Sequence, residues 1–181
     1  MARIIKRLKN AIFSPHKQIY SKMNPVRYAR SIGVNIGKNT KIYGSSLSMF
    51  STEPWIVHLG EGVHVTRDVL FLTHDGGTLI LDKNDIQDFI LTGKIVVGDN
   101  TYIGTRTVIL PGITIGKNCI IGAGSIVSKD IPDNSIAVGV PAKVVNTTEC
   151  YLEKIKDVMA GNQPRYYESL EAVRSLNPNR K

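Results

Sequence analysis

The sequence predicts a solenoid of stacked β-strand coils, and a six-residue beat is the first reason. Val97, Ile103, Ile109, Ile115, Ile121 and Val127 each follow the last by six residues, and all are β-branched aliphatics. Glycine comes next in four of the six cases, at Gly98, Gly104, Gly116 and Gly122. The same beat runs earlier through Leu59, Val65 and Phe71, with a fragment at Ile36 and Ile42. A period of six is neither the 3.6 of a helix nor the alternation of a lone strand. It fits short strands joined by corners, with Val and Ile packing well on the pleated surface. The glycines are expected where the backbone turns tightly or takes positive φ. Three such strands close a coil of about eighteen residues, and stacked coils bury a continuous core. The predicted architecture is an all-β solenoid, a parallel β-helix.

The elements follow from where the beat holds and where it fails. Residues 1–31 form a basic helical segment, because Ile4, Ile5, Leu8, Ile12 and Phe13 make the stripe of an amphipathic helix. Residues 32–146 carry the repeat. Within them, residues 44–55 are irregular, and about twenty extra residues separate Phe71 from Val97. That insertion, about residues 75–94, reads as an excursion, and long excursions from compact domains are usually functional. Four positions after each aliphatic stand Thr101, Thr107, Ile113, Cys119, Ser125 and Ile131, mostly small or apolar. Residues 147–181 form a helical tail: Thr148 and Glu149 open a helix that runs to Ala160 and stops at Gly161. The spacing allows a further short helix over residues 166–176.

Composition narrows the function. Of 181 residues, 42% are apolar and 21% charged, an ordinary globular balance. No apolar run approaches the roughly 20 residues of a membrane-spanning helix, and charge interrupts the first nine residues too often for a secretory signal. Cys119 and Cys150 form neither a metal-binding spacing nor a disulfide framework, which suits a reducing, cytoplasmic compartment. The net charge of +8 is local: residues 1–50 hold ten Lys or Arg and no acid. Such an end can be a solvated face or can meet an anionic partner. Residues 1–13 in particular either cap the solenoid or lie on an anionic membrane surface at the inner face of the membrane; no nucleic-acid motif accompanies them.

The corner residues carry a resemblance. Ile103-Gly104-Thr105, Ile115-Gly116-Lys117-Asn118, Ile121-Gly122-Ala123-Gly124-Ser125, Ile131-Pro132-Asp133-Asn134 and the closing Gly139-Val140-Pro141-Ala142-Lys143 resemble the hexapeptide-repeat acyltransferases. They are similar in particular to the sugar, polysaccharide and xenobiotic O-acetyltransferases of that superfamily. The resemblance implies a left-handed β-helix, a homotrimer with active sites between subunits, and acetyl-CoA as donor.

His74 ends the last regular strand before the excursion, where its ring can face a cleft. Transfer of acetyl to a hydroxyl needs a base of near-neutral pKa, for which imidazole is suited, and the family's base falls at this place. The resemblance also carries the donor contacts: Thr105 and Ala123, eighteen apart and so stacked, Ser128 and Lys129 beyond them, Lys143 for the nucleotide phosphates, and Tyr102 beside the thiol end. For the acceptor, Glu53 and Trp55 precede the coil that leads to His74. Trp55 either stacks on a sugar face or plugs a coil end. Asp75, next to His74, points to the opposite face if extended; the partner that orients His74 is Glu53 or a backbone carbonyl. His58 and His64 are six apart and so on adjacent faces, and with His16 in the basic segment they offer no convergent zinc site. Gly122-Ala123-Gly124 lacks the third glycine of a dinucleotide fingerprint, since Val127 stands there.

The expected function is acetyl-CoA-dependent O-acetylation of a sugar, nucleotide-sugar or surface-polysaccharide hydroxyl. Acetylation of an amino sugar or of serine is the alternative on the same scaffold. A non-catalytic assembly role is disfavoured by a histidine at the loop.

Overall fold

The computed structural model describes residues 15–81, 89–162 and 170–175, and three sheets of parallel strands wrap its core. The first sheet contains β1 (Asn35–Ile36), β3 (Val57–Leu59), β8 (Ile95–Val97) and β11 (Thr114–Ile115). The second contains β5 (Leu70–Phe71), β10 (Val108–Ile109) and β13 (Ile126–Val127). The third stacks β2 (Lys41–Ile42), β4 (His64–Val65), β9 (Tyr102–Ile103), β12 (Ile120–Ile121) and β14 (Ser135–Val138), and β15 (Lys143–Thr147) closes it antiparallel to β14. From β8 to β13 successive strands pass in turn to the first, third and second sheets. That arrangement is a β-helix.

Register shows why the aliphatic beat produces this fold. Ile36, Leu59, Val97 and Ile115 stack in the first sheet. Ile42, Val65, Ile103, Ile121 and Ala137 stack in the third. Phe50, Phe71, Ile109 and Val127 stack in the second. All thirteen are buried. Full burial of one such side chain contributes about 1.5–3 kcal/mol, and each column extends by one residue per coil.

The corners correct one expectation. Gly98, Gly104, Gly116 and Gly122 do not take positive φ; that conformation falls two residues later, at Asn100, Arg106, Asn118 and Gly124. The glycines are required by close approach between coils. A Cβ on Gly104 would lie 2.5 Å from the amide nitrogen of Ala123, and one on Gly98 would lie 2.6 Å from the carbonyl carbon of Gly116. The positions four after each aliphatic point inward as well, and all six are buried. Their polar members are satisfied internally: Thr101 Oγ1 donates to the Gly116 carbonyl at 2.8 Å and accepts from the Cys119 amide at 3.1 Å. Buried hydroxyls thus serve as rungs between coils eighteen residues apart.

Two helices cover the start of the solenoid. The helices are α1 (Pro15–Met23) and α2 (Pro25–Ser31), and the proline that opens α2 suits the first helical position. Tyr28 and Ala29 are buried, the Val34 amide donates to the Ala29 carbonyl, and Arg30 Nη2 donates to the carbonyls of Ile36 and Gly37. The proposed helix and membrane contact of residues 1–13 lie outside the described residues. At the other end, α3 (Thr148–Met159) begins at Thr147, whose hydroxyl accepts from the Cys150 amide, and α4 (Leu170–Ser175) follows. Among the described residues no helix is long and apolar enough to cross a membrane.

Candidate active site

The stretch of residues 44–55 is not merely a surface loop. Met49 and Phe50 turn into the core, and Phe50 stacks on Phe71 with ring centroids 5.0 Å apart. The Phe71 amide donates to the Met49 carbonyl, and Ser51 donates both its amide and its hydroxyl to the Phe71 carbonyl. Phe50 and Phe71 form a parallel bridge, so Glu53 and His74, each three residues further on, arrive side by side.

His74 opens β6 (His74–Asp75), which pairs antiparallel with β7 (Leu91–Thr92) at the base of the excursion. Its Nδ1 lies 2.8 Å from Glu53 Oε2. Thr73 Oγ1, fully buried, donates to the same oxygen at 2.6 Å, and Thr52 Oγ1 donates to Glu53 Oε1 at 2.5 Å. Burial alone would raise the Glu53 carboxyl. Hydrogen bonds from Thr52, Thr73 and His74, with the positive charge of a protonated His74, outweigh it and hold the group at about 2, against an ordinary 4.5. Glu53 is therefore ionised at neutral pH and can only accept hydrogen bonds. His74 Nδ1 must then carry the proton in the neutral ring, which leaves Nε2 with a free lone pair. The imidazole is one-third exposed and the carboxylate 27% exposed.

The folded value of Glu53 lies below its unfolded value, so these bonds stabilise the fold above about pH 4.5. That contribution is lost as pH falls toward 2. Glu53→Gln does not titrate, so the stability gap between wild type and variant is expected to narrow from pH 5 to pH 2 in urea unfolding. A constant gap would show that the carboxylate charge is not what these donors recognise.

The other site residues divide into groups. Glu53, placed by sequence with the acceptor contacts, has both oxygens committed to Thr52, Thr73 and His74. Asp75 Oδ1 accepts from the Gly77 amide at 2.8 Å, away from His74 as an extended residue requires. Trp55 is 60% exposed on a turn of 3-10 helix, which removes the reading that it plugs a coil end. Thr105 and Ala123 come together in a cleft of about 510 Å³ at the corner between the third and second sheets. Tyr102 is exposed on the third sheet between His64 and Ile120. Ser128 and Lys129 follow β13 at the far corner of the second sheet, and Lys143 begins β15 opposite Val138. His58 and His64 lie on the first and third sheets. Thr52 and Thr73 carried no sequence signal beyond adjacency to Glu53 and His74.

Comparison with known proteins agrees with this architecture. The family model "Bacterial transferase hexapeptide (six repeats)" matches residues 94–129. Protein CapG of Staphylococcus aureus is 38% identical over 128 residues, which is 70% of this chain and 73% of that protein. Galactoside O-acetyltransferase of Escherichia coli K12 is 37% identical over 123 residues, 67% of this chain; the chain spans only 57% of that relative's length. Among solved structures, a serine acetyltransferase of Neisseria gonorrhoeae is 27% identical with a TM-score of 0.47, over 64% of this chain and 39% of that one. With its repeated corners, its β-helix and its likeness to CapG over 73% of that protein, the chain belongs to the hexapeptide-repeat transferase family and is an acyltransferase.

Proposed function

We propose that this protein transfers acetyl from acetyl-CoA to a hydroxyl of a sugar, nucleotide-sugar or surface-polysaccharide unit, with His74 as general base. The observation that carries this reading is the His74–Glu53 pair at the base of the excursion, with Nε2 unpartnered among the described residues. The acceptor oxygen attacks the thioester carbonyl while Nε2 takes its proton; the C–S bond then breaks, and the CoA thiolate recovers that proton from the imidazolium. Glu53 orients the ring and stabilises the cation that forms, and Thr52 and Thr73 hold the carboxylate in place. The similarity to an enzyme named as a galactoside O-acetyltransferase supports a saccharide hydroxyl as acceptor.

In this reading the pantetheine arm runs along the stacked corners at Thr105 and Ala123, toward Ser128, Lys129 and Lys143 for the nucleotide end. Lysine serves there as a point charge for phosphate. The solenoid is left-handed, as in the family, and the unit is a homotrimer. Geometry supports a shared site. His74 follows β5 at one edge of the second sheet, whereas Thr105 and Ala123 lie at its other edge. Five or so strand residues separate the edges, roughly 15 Å, so a neighbouring copy supplies the histidine. Leu79, Ile80, Phe89 and Ile90 of the excursion are exposed large apolar side chains that such a neighbour would cover.

The reading is tested by acetyl release from acetyl-CoA against a panel of sugars, amino sugars and serine. Sugar hydroxyls are expected to be the best acceptors; a product acetylated on nitrogen would redirect the reading to an N-acetyltransferase. Ala123→Trp is expected to raise the KM for acetyl-CoA at least tenfold with the fold intact, because Ala123 lines the open cleft. An unchanged KM would remove this corner from the donor site.

A further inference from the structure

Two guanidinium groups share the cleft that holds Thr105 and Ala123. Arg67 and Arg106 lie on adjacent coils, the Arg106 amide donating to the Arg67 carbonyl at 3.0 Å, and both line the cleft with Asp68 and Gly124. Both side chains are exposed, and among the described residues neither guanidinium has a hydrogen-bond or ion-pair partner. The cleft therefore carries a net positive charge even with Asp68 counted.

Arg106 also breaks a local rule. Its φ is +60°, and among the described residues every other non-glycine residue with positive φ is Asn or Asp: Asn39, Asp68, Asn100, Asn118 and Asn134. Those side chains tolerate the left-handed region, while a long side chain without a local hydrogen bond is disfavoured there by about 1 kcal/mol. Folding alone would favour asparagine at this corner. A residue that costs stability while holding a free charge in a cleft points to a ligand.

Position along the solenoid identifies which ligand. The corners run in order from Arg67, after β4, to Arg106, after β9, to Ala123, after β12, with Lys143 beyond β14. In the donor path proposed above, the nucleotide phosphates lie toward Lys143 and the thioester end lies toward Arg106 and Arg67. The arginines thus stand at the acceptor end of that path, Arg106 one coil and Arg67 two coils further from Lys143 than Ala123 is. We infer that Arg67 and Arg106 form an anion subsite for the acceptor, and that the acceptor is a saccharide bearing a phosphate or carboxylate. This rests on the donor groove of the proposed function. A paired guanidinium suits either anion, because its fork meets two oxygens at once.

The test measures binding, so that it does not depend on turnover. With CoA saturating, wild type, Arg67→Gln, Arg106→Asn and the double variant are titrated calorimetrically with methyl glucoside, its uronate counterpart and glucose 1-phosphate. Wild type is expected to bind at least one charged sugar about tenfold or more tighter than the neutral one at low salt, with the preference shrinking as salt rises. Whichever charged sugar binds tells phosphate from carboxylate. The double variant is expected to lose the preference while CoA affinity stays within twofold. Arg106→Asn is expected to keep or raise the Tm, which separates a binding role from a structural one. Equal binding of charged and neutral sugars by wild type, or no binding of either, overturns the inference. Loss of CoA affinity in the variants also overturns it, since the arginines would then be donor contacts. Anion binding that needs the arginines, in a protein that transfers no acetyl group, would instead strike the proposed function and leave this subsite standing.

Discussion

His74→Ala is expected to cut turnover by about 10²-fold or more, while Tm and CoA affinity stay close to wild type. The magnitude is that of losing a positioned base, typically about 10²–10⁴-fold. The fold should tolerate the change because the imidazole is one-third exposed and, among the described residues, bonds only to Glu53 and Thr52. If kcat falls and the KM for acetyl-CoA does not move, the lost interaction belongs to the transition state. Steady-state kinetics beside a thermal melt would decide it, and unchanged turnover in a folded variant would remove His74 from the chemistry. Glu53→Gln should fall between the two, since the amide can still accept from Nδ1 but lacks the charge that steadies the imidazolium.

Phe71→Ala is expected to be the most damaging single change to the fold. Phe71 is fully buried, stacks on Phe50 at 5.0 Å, and pairs with both Phe50 and Ile109 in the second sheet. Truncating a buried phenylalanine costs about 3–5 kcal/mol through lost transfer energy and the cavity left behind. Here the damage should spread to the site, because Phe50 and Phe71 set the register that brings Glu53 to His74. Urea unfolding should show the loss, and residual activity of the folded fraction should fall as well. A loss below about 1 kcal/mol would mean that the aromatic pair can be repacked and that the register is held by the backbone bonds at Met49 and Ser51.

Much of the fold was legible because one physical rule repeats. Each coil must place one aliphatic inward per strand, so the columns through Val97, Ile103 and Ile109 appear in the sequence as a beat of six and in the structure as three stacks. The role of the corner glycines was less legible. Sequence shows that no Cβ is wanted at Gly98 and Gly104, but not whether φ or contact is the reason; the next coil's backbone supplies the contact. The 3-10 turn of Trp55 was invisible for a similar reason, since its exposure depends on what the first coil leaves uncovered.

Local spacing and residue type account for the solenoid, its three-strand coil and the place of the excursion, whereas His74 became a candidate through its place before that excursion together with the family resemblance. The partner of that histidine emerges only when the coils stack. Glu53 and His74 are 21 residues apart rather than the regular eighteen, since residues 44–55 break the beat. Their meeting depends on Met49 and Phe50 re-entering the core to restore the register, a long-range packing event that no periodicity records. The same holds for the arginine pair: Arg67 and Arg106 are 39 positions apart, joined by an excursion that adds about a coil's length without adding a coil, so only stacking reveals that they share one cleft.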